Sequence, residues 1–243
     1  MTADQQSLRK QEMSPAWTPP PRPAELTEAR LVQAFLEHEF PEGSTLPAER
    51  ELAALLGITR PTVREALQRL SRDGWITIQQ GKPTRVNDFW WEGNLNVLDA
   101  IVRHARELPP DFVPNLLSVR LELAPAYTRA AIDKSPNDVA GFLESLLKLP
   151  DVATEYATAD WRLHLHLIRL SGNPVYMLIF NGFSGFYVAM AQIYFAQSES
   201  RAASRGFYQA LHAAACHNDP EAAARAAQKG MEQSITLWLE ATT

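Results

Sequence analysis

Residues 46–86 read LPAERELAALLGITRPTVREALQRLSRDGWITIQQGKPTRV, and this stretch decides the fold. Pro47 stands where a helix opens, and AERELAALLG follows with Leu52, Leu55 and Leu56 expected inward and Gly57 as the stop. Only Ile58 and Thr59 intervene before RPTVREALQRLSRDG. There Thr59 is the expected N-cap and Pro61 sits in the first turn, where a missing N–H costs little. A cap at Thr62, boxed with Glu65, is the alternative. Val63, Ala66, Leu67 and Leu70 recur at helical spacing and form the inner face, and Gly74 ends the helix. The period then changes. Trp75-Ile76-Thr77-Ile78 alternates, residues 79–83 are a turn, and Thr84-Arg85-Val86 returns, which is a short β-hairpin. A preceding helix from near Leu26, capped by Thr27 and carrying Leu31, Phe35 and Leu36, completes a winged helix-turn-helix.

Outward from this core the composition shifts twice. Residues 1–23 hold Pro15, Pro19, Pro20, Pro21 and Pro23 with few apolar residues, and read as a disordered arm in which Trp17, the one aromatic residue, is a candidate for docking on a partner against a solvated tail. Beyond residue 88 no strand pattern recurs. Seven helices are expected near 94–106, 111–132, 137–148, 152–171, 174–196, 200–217 and 219–240, with Pro114 and Pro125 expected to kink or break the second. The expected organisation is an arm at 1–23, a winged helix-turn-helix domain at 24–88 and an all-helical domain at 89–243. The fold class is mainly α. Residues 170–198 contain no Lys, Arg, Asp or Glu. Their Gly, Asn and Gln residues, and the amphipathic helices beside them, favour the centre of a bundle over a membrane span.

The 243 residues carry 23 basic and 28 acidic side chains, a net of −5, which by itself argues against nucleic acid. The distribution reverses that argument. Residues 1–23 are +1, 24–88 are −2 and 89–243 are −4, but within 50–85 seven basic residues face three acids, a net of +4. These charges fall on the elements that meet DNA in a winged helix-turn-helix. Arg60, Thr62 and Arg64 occupy the first turns of the recognition helix, Arg50 lies on the helix before it, and Gly81 and Lys82 sit at the wing tip beside the minor groove. Arg69 and Arg72, later in the helix, read as structural or phosphate-facing. One cysteine, Cys216, excludes an internal disulfide, and MTADQQSLRKQEM lacks the apolar run of a signal peptide, so a cytoplasmic protein is expected.

The 46–86 stretch resembles the N-terminal domain of the GntR family of bacterial transcription regulators. NDFWWEGNLNVLDAI, NLLSVR, SGNPVYMLIFNG, YF and GFY look like the FadR branch of that family, the regulators of fatty-acid metabolism. The resemblance covers about residues 26–240. It implies a homodimer that binds palindromic operators of fatty-acid degradation and synthesis genes, acting as repressor or activator, and is released by long-chain acyl-CoA. It places DNA contacts on Arg50, Thr59, Arg60, Thr62, Arg64, Gly81 and Lys82, and ligand contacts on Arg120, Asp160, Tyr194, Tyr208, Ser234 and Trp238. Arg120 is expected to pair with Asp160 or the ligand. Four departures stand out. Pro61 takes a position that often carries a hydroxyl, and Gln80 replaces a wing His. Gly230-Met231 stands where a Tyr-Gly pair is usual, with Met231 expected to narrow the passage for pantetheine or pyrophosphate, and no Lys follows Trp238.

Asp160 and His164, spaced i, i+4, also suit a metal, and many GntR relatives add two later His to such a pair. Here those positions hold Tyr208 and Gly230, and His166 projects roughly 200° around the helix from His164, so no metal and no cofactor are expected. The alternative is a regulator sensing an organic acid through a metal. No catalytic triad, P-loop or G-x-G-x-x-G is present, so enzyme activity is not expected.

Overall fold

A computed structural model describes residues 21–242, and the Pro-rich arm expected at 1–23, with Trp17, lies almost wholly outside them. The chain forms two compact units that divide between Gly93 and Asn94.

In the first unit, α1 (Pro23–Leu36) starts earlier than the expected Thr27 cap. Pro23 supplies the helix-compatible φ, and the Glu25 carboxylate accepts the Arg22 N–H at 3.0 Å. Thr27 is a buried interior residue whose hydroxyl donates back to the Pro23 carbonyl at 2.7 Å. After α2 (Glu49–Leu56), Gly57 turns left-handed at φ 67°, and Thr59 caps α3 (Arg60–Asp73) by accepting the Thr62 N–H. Leu55 is 71% exposed, against the inward position expected for it. In so short a helix the buried face centres on Leu52, Ala53 and Leu56, and 100° per residue carries Leu55 past its edge.

The wing is β1 (Ile76–Thr77) paired antiparallel with β2 (Arg85–Val86), Ile76 opposite Val86 and Thr77 opposite Arg85. Trp75 anchors it between Phe35 and Phe89, at centroid distances of 6.1 and 4.7 Å. Phe89 opens a single-turn helix, α4 (Phe89–Glu92), held to this unit by the Arg85–Glu92 ion pair. Gly74, at φ 91°, has room for no other residue, because a Cβ there would lie 2.6 Å from the Glu92 carbonyl.

The second unit is all helical: α5 (Asn96–His104), α6 (Phe112–Lys134), α7 (Pro136–Leu146), α8 (Ala153–Ser171), α9 (Pro174–Asn181), α10 (Tyr187–Phe195), α11 (Ser198–Cys216) and α12 (Pro220–Thr242). Long α6 packs on α12 and α8, and α11 on α12 and α7, around a core that includes Ile132, Leu143, Leu163 and Leu211. Pro114 sits in the first turn of α6 and Pro125 lies inside it, yet the helix is unbroken. The reverse happens in the uncharged segment. The single helix expected over 174–196 is two short ones, α9 and α10, joined by a turn that holds Gly182 and Gly185. Among the described residues no helix is long and apolar enough to cross a membrane.

Candidate functional site

The exposed face of the first unit is built around the start of α3. The side chains of Arg50, Thr59, Arg60 and Arg64 are exposed and Thr62 is half-buried, while Gly81, at φ 75°, and Lys82 form the exposed wing turn. The cluster is less positive than its sequence suggests. Arg64 is clasped by Glu49 on α2, with Nε donating to Oε1 at 3.1 Å and Nη2 to Oε2 at 2.6 Å. That hydrogen bonding holds the Glu49 carboxyl below its usual range. Arg69 pairs with Glu65 one turn earlier on α3 at 2.8 Å and ties that helix to Glu28 of α1 at 3.6 Å, Arg72 pairs with Asp73, and Arg85 with Glu92. Among the described residues, Arg50, Arg60 and Lys82 remain without an ion pair. The Thr59 and Thr62 hydroxyls are 2.9 Å apart, so one donates to the other and one proton stays available to an outside acceptor.

The second site lies in the helical unit. A cavity of about 80 Å³ is walled by Leu116, Leu117, Met190 and Ala191 and by the aromatic rings of Phe180, Phe183, Phe186 and Trp238. Its polar end is one connected network. Arg120 donates from Nη1 to the Tyr187 hydroxyl at 2.9 Å and from Nη2 to Ser234 Oγ at 2.8 Å. Tyr187 in turn donates to Asp160 Oδ2 at 2.6 Å, and Ser234 to the Met231 carbonyl at 2.7 Å. Arg120 and Asp160 face each other at 3.5 Å with side chains 13% and 7% exposed. The buried Arg120 Nε has no hydrogen-bond partner, an unsatisfied donor on a side chain that lines the cavity.

Of the residues expected at a ligand site, Arg120, Asp160, Tyr194, Ser234 and Trp238 line this cavity. Burial pushes the Tyr194 hydroxyl up to about 12. Tyr208 does not line it. It lies fully buried on the far side of Asp160, donating to Oδ1 at 3.4 Å, and burial raises its hydroxyl pKa well above normal. Met231 is buried in the core beside a smaller void of about 10 Å³ that also touches Arg120 and Ser234.

His164 is held by Tyr127, whose hydroxyl lies 2.6 Å from Nδ1, and its Nε2 faces Asp160 Oδ2 at 3.7 Å. Burial drives its pKa down to about 4, so the ring is neutral at pH 7. His166 turns to another face and stacks on Phe142 at 4.4 Å. Among the described residues no group of three or more His, Cys, Asp or Glu gathers to hold a metal.

Three participants were not legible from sequence. Glu49 is one acid in a charged helix, and nothing local says that it reaches Arg64. Tyr187 and Tyr127 bridge to Asp160 and His164 from other helices, contacts that only the tertiary packing creates. The turn just before Tyr187 is pressed against Leu95 and the start of α5: a Cβ on Gly182 would come within 2.7 Å of Leu95 Cβ, and one on Gly185 would run into the Asp99 carboxylate.

Comparison with known proteins matches each unit separately. Residues 23–86 match the model of bacterial regulatory proteins of the gntR family, and residues 87–243 match the FadR C-terminal domain. The fatty acid metabolism regulator protein of Shewanella halifaxensis is 47% identical over 189 residues, covering 78% of this chain and 79% of that one. Its counterpart from Salmonella paratyphi C is 43% identical over the same shares. Among solved structures, that of Lar, which controls expression of the Listeria monocytogenes agr system, has a TM-score of 0.55 at 17% identity, covering 89% of this chain and 96% of that one. This last likeness concerns the fold alone.

Proposed function

The chain belongs to the GntR family, in the branch of the fatty acid metabolism regulators, and from that premise we propose that it is a homodimeric repressor and activator released from palindromic operators by long-chain acyl-CoA. Its relatives and families are transcription regulators, not enzymes. The observation that carries the ligand reading is the cavity itself: an aromatic and aliphatic wall closed at one end by Arg120, Tyr187, Asp160 and Ser234. Apolar walls suit an acyl chain, and Arg120, whose Nε–H lacks a partner, suits a thioester carbonyl or another acceptor near it once the wall moves. Tyr194 and Trp238 complete the wall, and Tyr208 supports Asp160 from behind.

On the DNA side, α3 is the recognition helix. Arg60 and Arg64 supply guanine or phosphate contacts, Thr59 and Thr62 phosphate contacts, Arg50 a backbone or base contact, and Gly81 and Lys82 enter the minor groove. Two copies of α3 must sit about 34 Å apart to reach successive major grooves of a palindrome.

The coupling follows from size. An apolar cavity of about 150 Å³ accepts a benzene ring. At about 80 Å³ this one admits no long acyl chain until its aromatic wall moves. Phe183, Phe186 and Tyr187 belong to or adjoin the turn that presses on Leu95, just before α5, and on Asp99 of α5. α5 is the first long helix after residues 87–94, which lead from the wing into the helical unit. Wall displacement therefore reaches α5 and the linker, favouring a dimer whose recognition helices no longer match successive grooves. Acyl-CoA and operator are then thermodynamically antagonistic, each weakening the other by the same factor.

The deciding experiment is titration of oleoyl-CoA into the protein–operator complex, with free CoA and oleate as controls. Release by oleoyl-CoA alone is expected. No release, equal release by free CoA, or stoichiometric Zn, Mn or Ni in the purified protein would overturn the acyl-CoA reading.

A further inference from the structure

The face of α8 turned away from Asp160 borders a second space. Between α7, the connection at 147–152 and α8 lies a cavity of about 460 Å³, far larger than the one beside Arg120 and within the usual range of small-molecule sites. α8 contributes Thr158, Arg162, Leu165, His166 and Arg169, a spacing of three and four residues that sets them in one stripe. The opposite stripe of the same helix, with Asp160, Leu163, His164 and Leu167, goes to the core. The helix is thus two-faced, and the acyl cavity uses only one face.

The charges on the outer stripe are unanswered. Arg103, Arg120, Arg129, Arg201 and Arg205 in this unit each have a carboxylate within ion-pair distance. Arg162 and Arg169 have none among the described residues, although the unit is acidic overall. Glu155 is the one acid lining the cavity. Seven residues of helix separate the two arginines by roughly 10 Å, a distance their long side chains close onto one bound group. Between them the His166 ring lies flat on Phe142, 14° from parallel, and its Nε2 is buried without a hydrogen-bond partner. Leu146, Leu149 and Leu165 supply the apolar floor.

We propose that this cavity is a second ligand site, taking a small organic anion in which a carboxylate or phosphate is carried on a flat apolar body. The anion lies between Arg162 and Arg169, and the apolar body rests on the leucine floor beside Phe142 and the His166 ring. Arg is suited to either headgroup, because its fork matches both geometrically. The proposal does not depend on acyl-CoA being the effector of the other cavity.

The test is proton NMR of the six histidines in the full-length protein, with the His166 ring signals identified through H166Q. The probes are 1-naphthyl phosphate, 1-naphthoate and neutral 1-naphthalenemethanol. A saturable shift of the His166 signals by either anion, with the His164 signals still and the neutral probe without effect, is the expected result; the stronger anion identifies the headgroup. R162Q/R169Q should weaken that binding at least about tenfold, as expected for loss of charged hydrogen bonds. R225Q, at an exposed arginine elsewhere in the unit, should not. An equal response to the neutral probe overturns the proposal. So does equal loss in R225Q, or a His164 shift that accompanies the His166 shift and places the probe in the other cavity.

Discussion

The two units use arginine in opposite ways. Arg64 lies on the surface at 55% side-chain exposure, clasped by a single carboxylate that water and DNA phosphates can replace. Arg120 is 13% exposed and bonded to Tyr187 and Ser234, facing Asp160 inside the helical unit. Both are arginine–carboxylate pairs, but they answer to different physics. An exposed pair is screened and exchangeable, so it adjusts binding more than stability. A buried pair holds the fold hostage to its weaker half, because losing one partner strands the other in a medium of low dielectric. A ligand that intrudes on the Arg120 network must therefore compensate what it disrupts, and that requirement is itself a source of selectivity.

The largest effect expected from this contrast is at Asp160. Asp160→Ala strands the Arg120 guanidinium and removes the acceptor of the Tyr187 hydroxyl, so urea unfolding should show a loss of about 3–5 kcal/mol. A loss under about 1 kcal/mol would mean that water reaches the network and that the pair behaves like a surface one.

Next comes the first unit. Arg60→Ala should weaken operator binding by about 1–3 kcal/mol while leaving the urea midpoint almost unchanged, since Arg60 is exposed and has no ion pair among the described residues. A drop in acyl-CoA affinity instead would mean that the roles of the two units have been assigned wrongly.

His164 tests burial by pH. Its folded pKa, about 4, lies below the unfolded value near 6.5, so the unfolded chain takes up a proton first as pH falls. The associated stability is complete above about pH 6.5 and is lost progressively as pH falls toward 4. Between pH 7 and pH 5 the protein should lose about 2 kcal/mol that His164→Gln does not lose. Equal pH slopes in the two proteins would show that the ring titrates normally.

How much of this was legible in the sequence follows the range of the interactions involved. The helix-turn-helix and wing were readable because they rest on local signals: Gly57 and Gly74 as left-handed stops, Thr59 as a cap, and a change of period at Trp75. The start of the first helix is ambiguous in sequence, because Pro23 at its start and Thr27 within it offer equally good local start signals, and only packing buries Thr27. The split of the expected 174–196 helix was hidden because no charge or proline marks it. Its cause is tertiary: Gly182 and Gly185 admit Leu95 and Asp99, which lie some ninety residues away in sequence. Arg120 and Asp160 were reached by family resemblance, whereas Tyr187 between them depends on three helices meeting. The reading of residues 50–85 as +4 needed the same correction, since Glu25, Glu28, Glu49 and Glu92 lie outside that window and answer charges within it.

The smallest effect, and the sharpest for the comparison, is expected at Glu49. In the free protein Glu49 holds the Arg64 guanidinium by two hydrogen bonds, and that grip has two consequences for DNA. It fixes the arginine in one orientation, which favours a contact of defined geometry over a diffuse one. If Arg64 meets DNA as proposed, Glu49 also competes with phosphate for the same donors and places a negative charge nearby. Glu49→Gln keeps the shape and removes the charge, so Arg64 becomes a mobile cation. Non-specific DNA binding should therefore rise and its salt dependence steepen by up to about one counterion. The preference for operator over random sequence should shrink, because the gain applies to every phosphate and the lost orientation matters only at the operator. Stability should change by a small fraction of what Asp160→Ala produces, as measured by urea unfolding of both variants side by side. If Glu49→Gln proved as destabilising as Asp160→Ala, the surface clasp would be a structural pair, and the contrast between the two arginines would collapse. If stability held but the ratio of operator to non-specific affinity did not fall, Glu49 would be a competitor of DNA alone, and the orientation of Arg64 would be set by DNA itself.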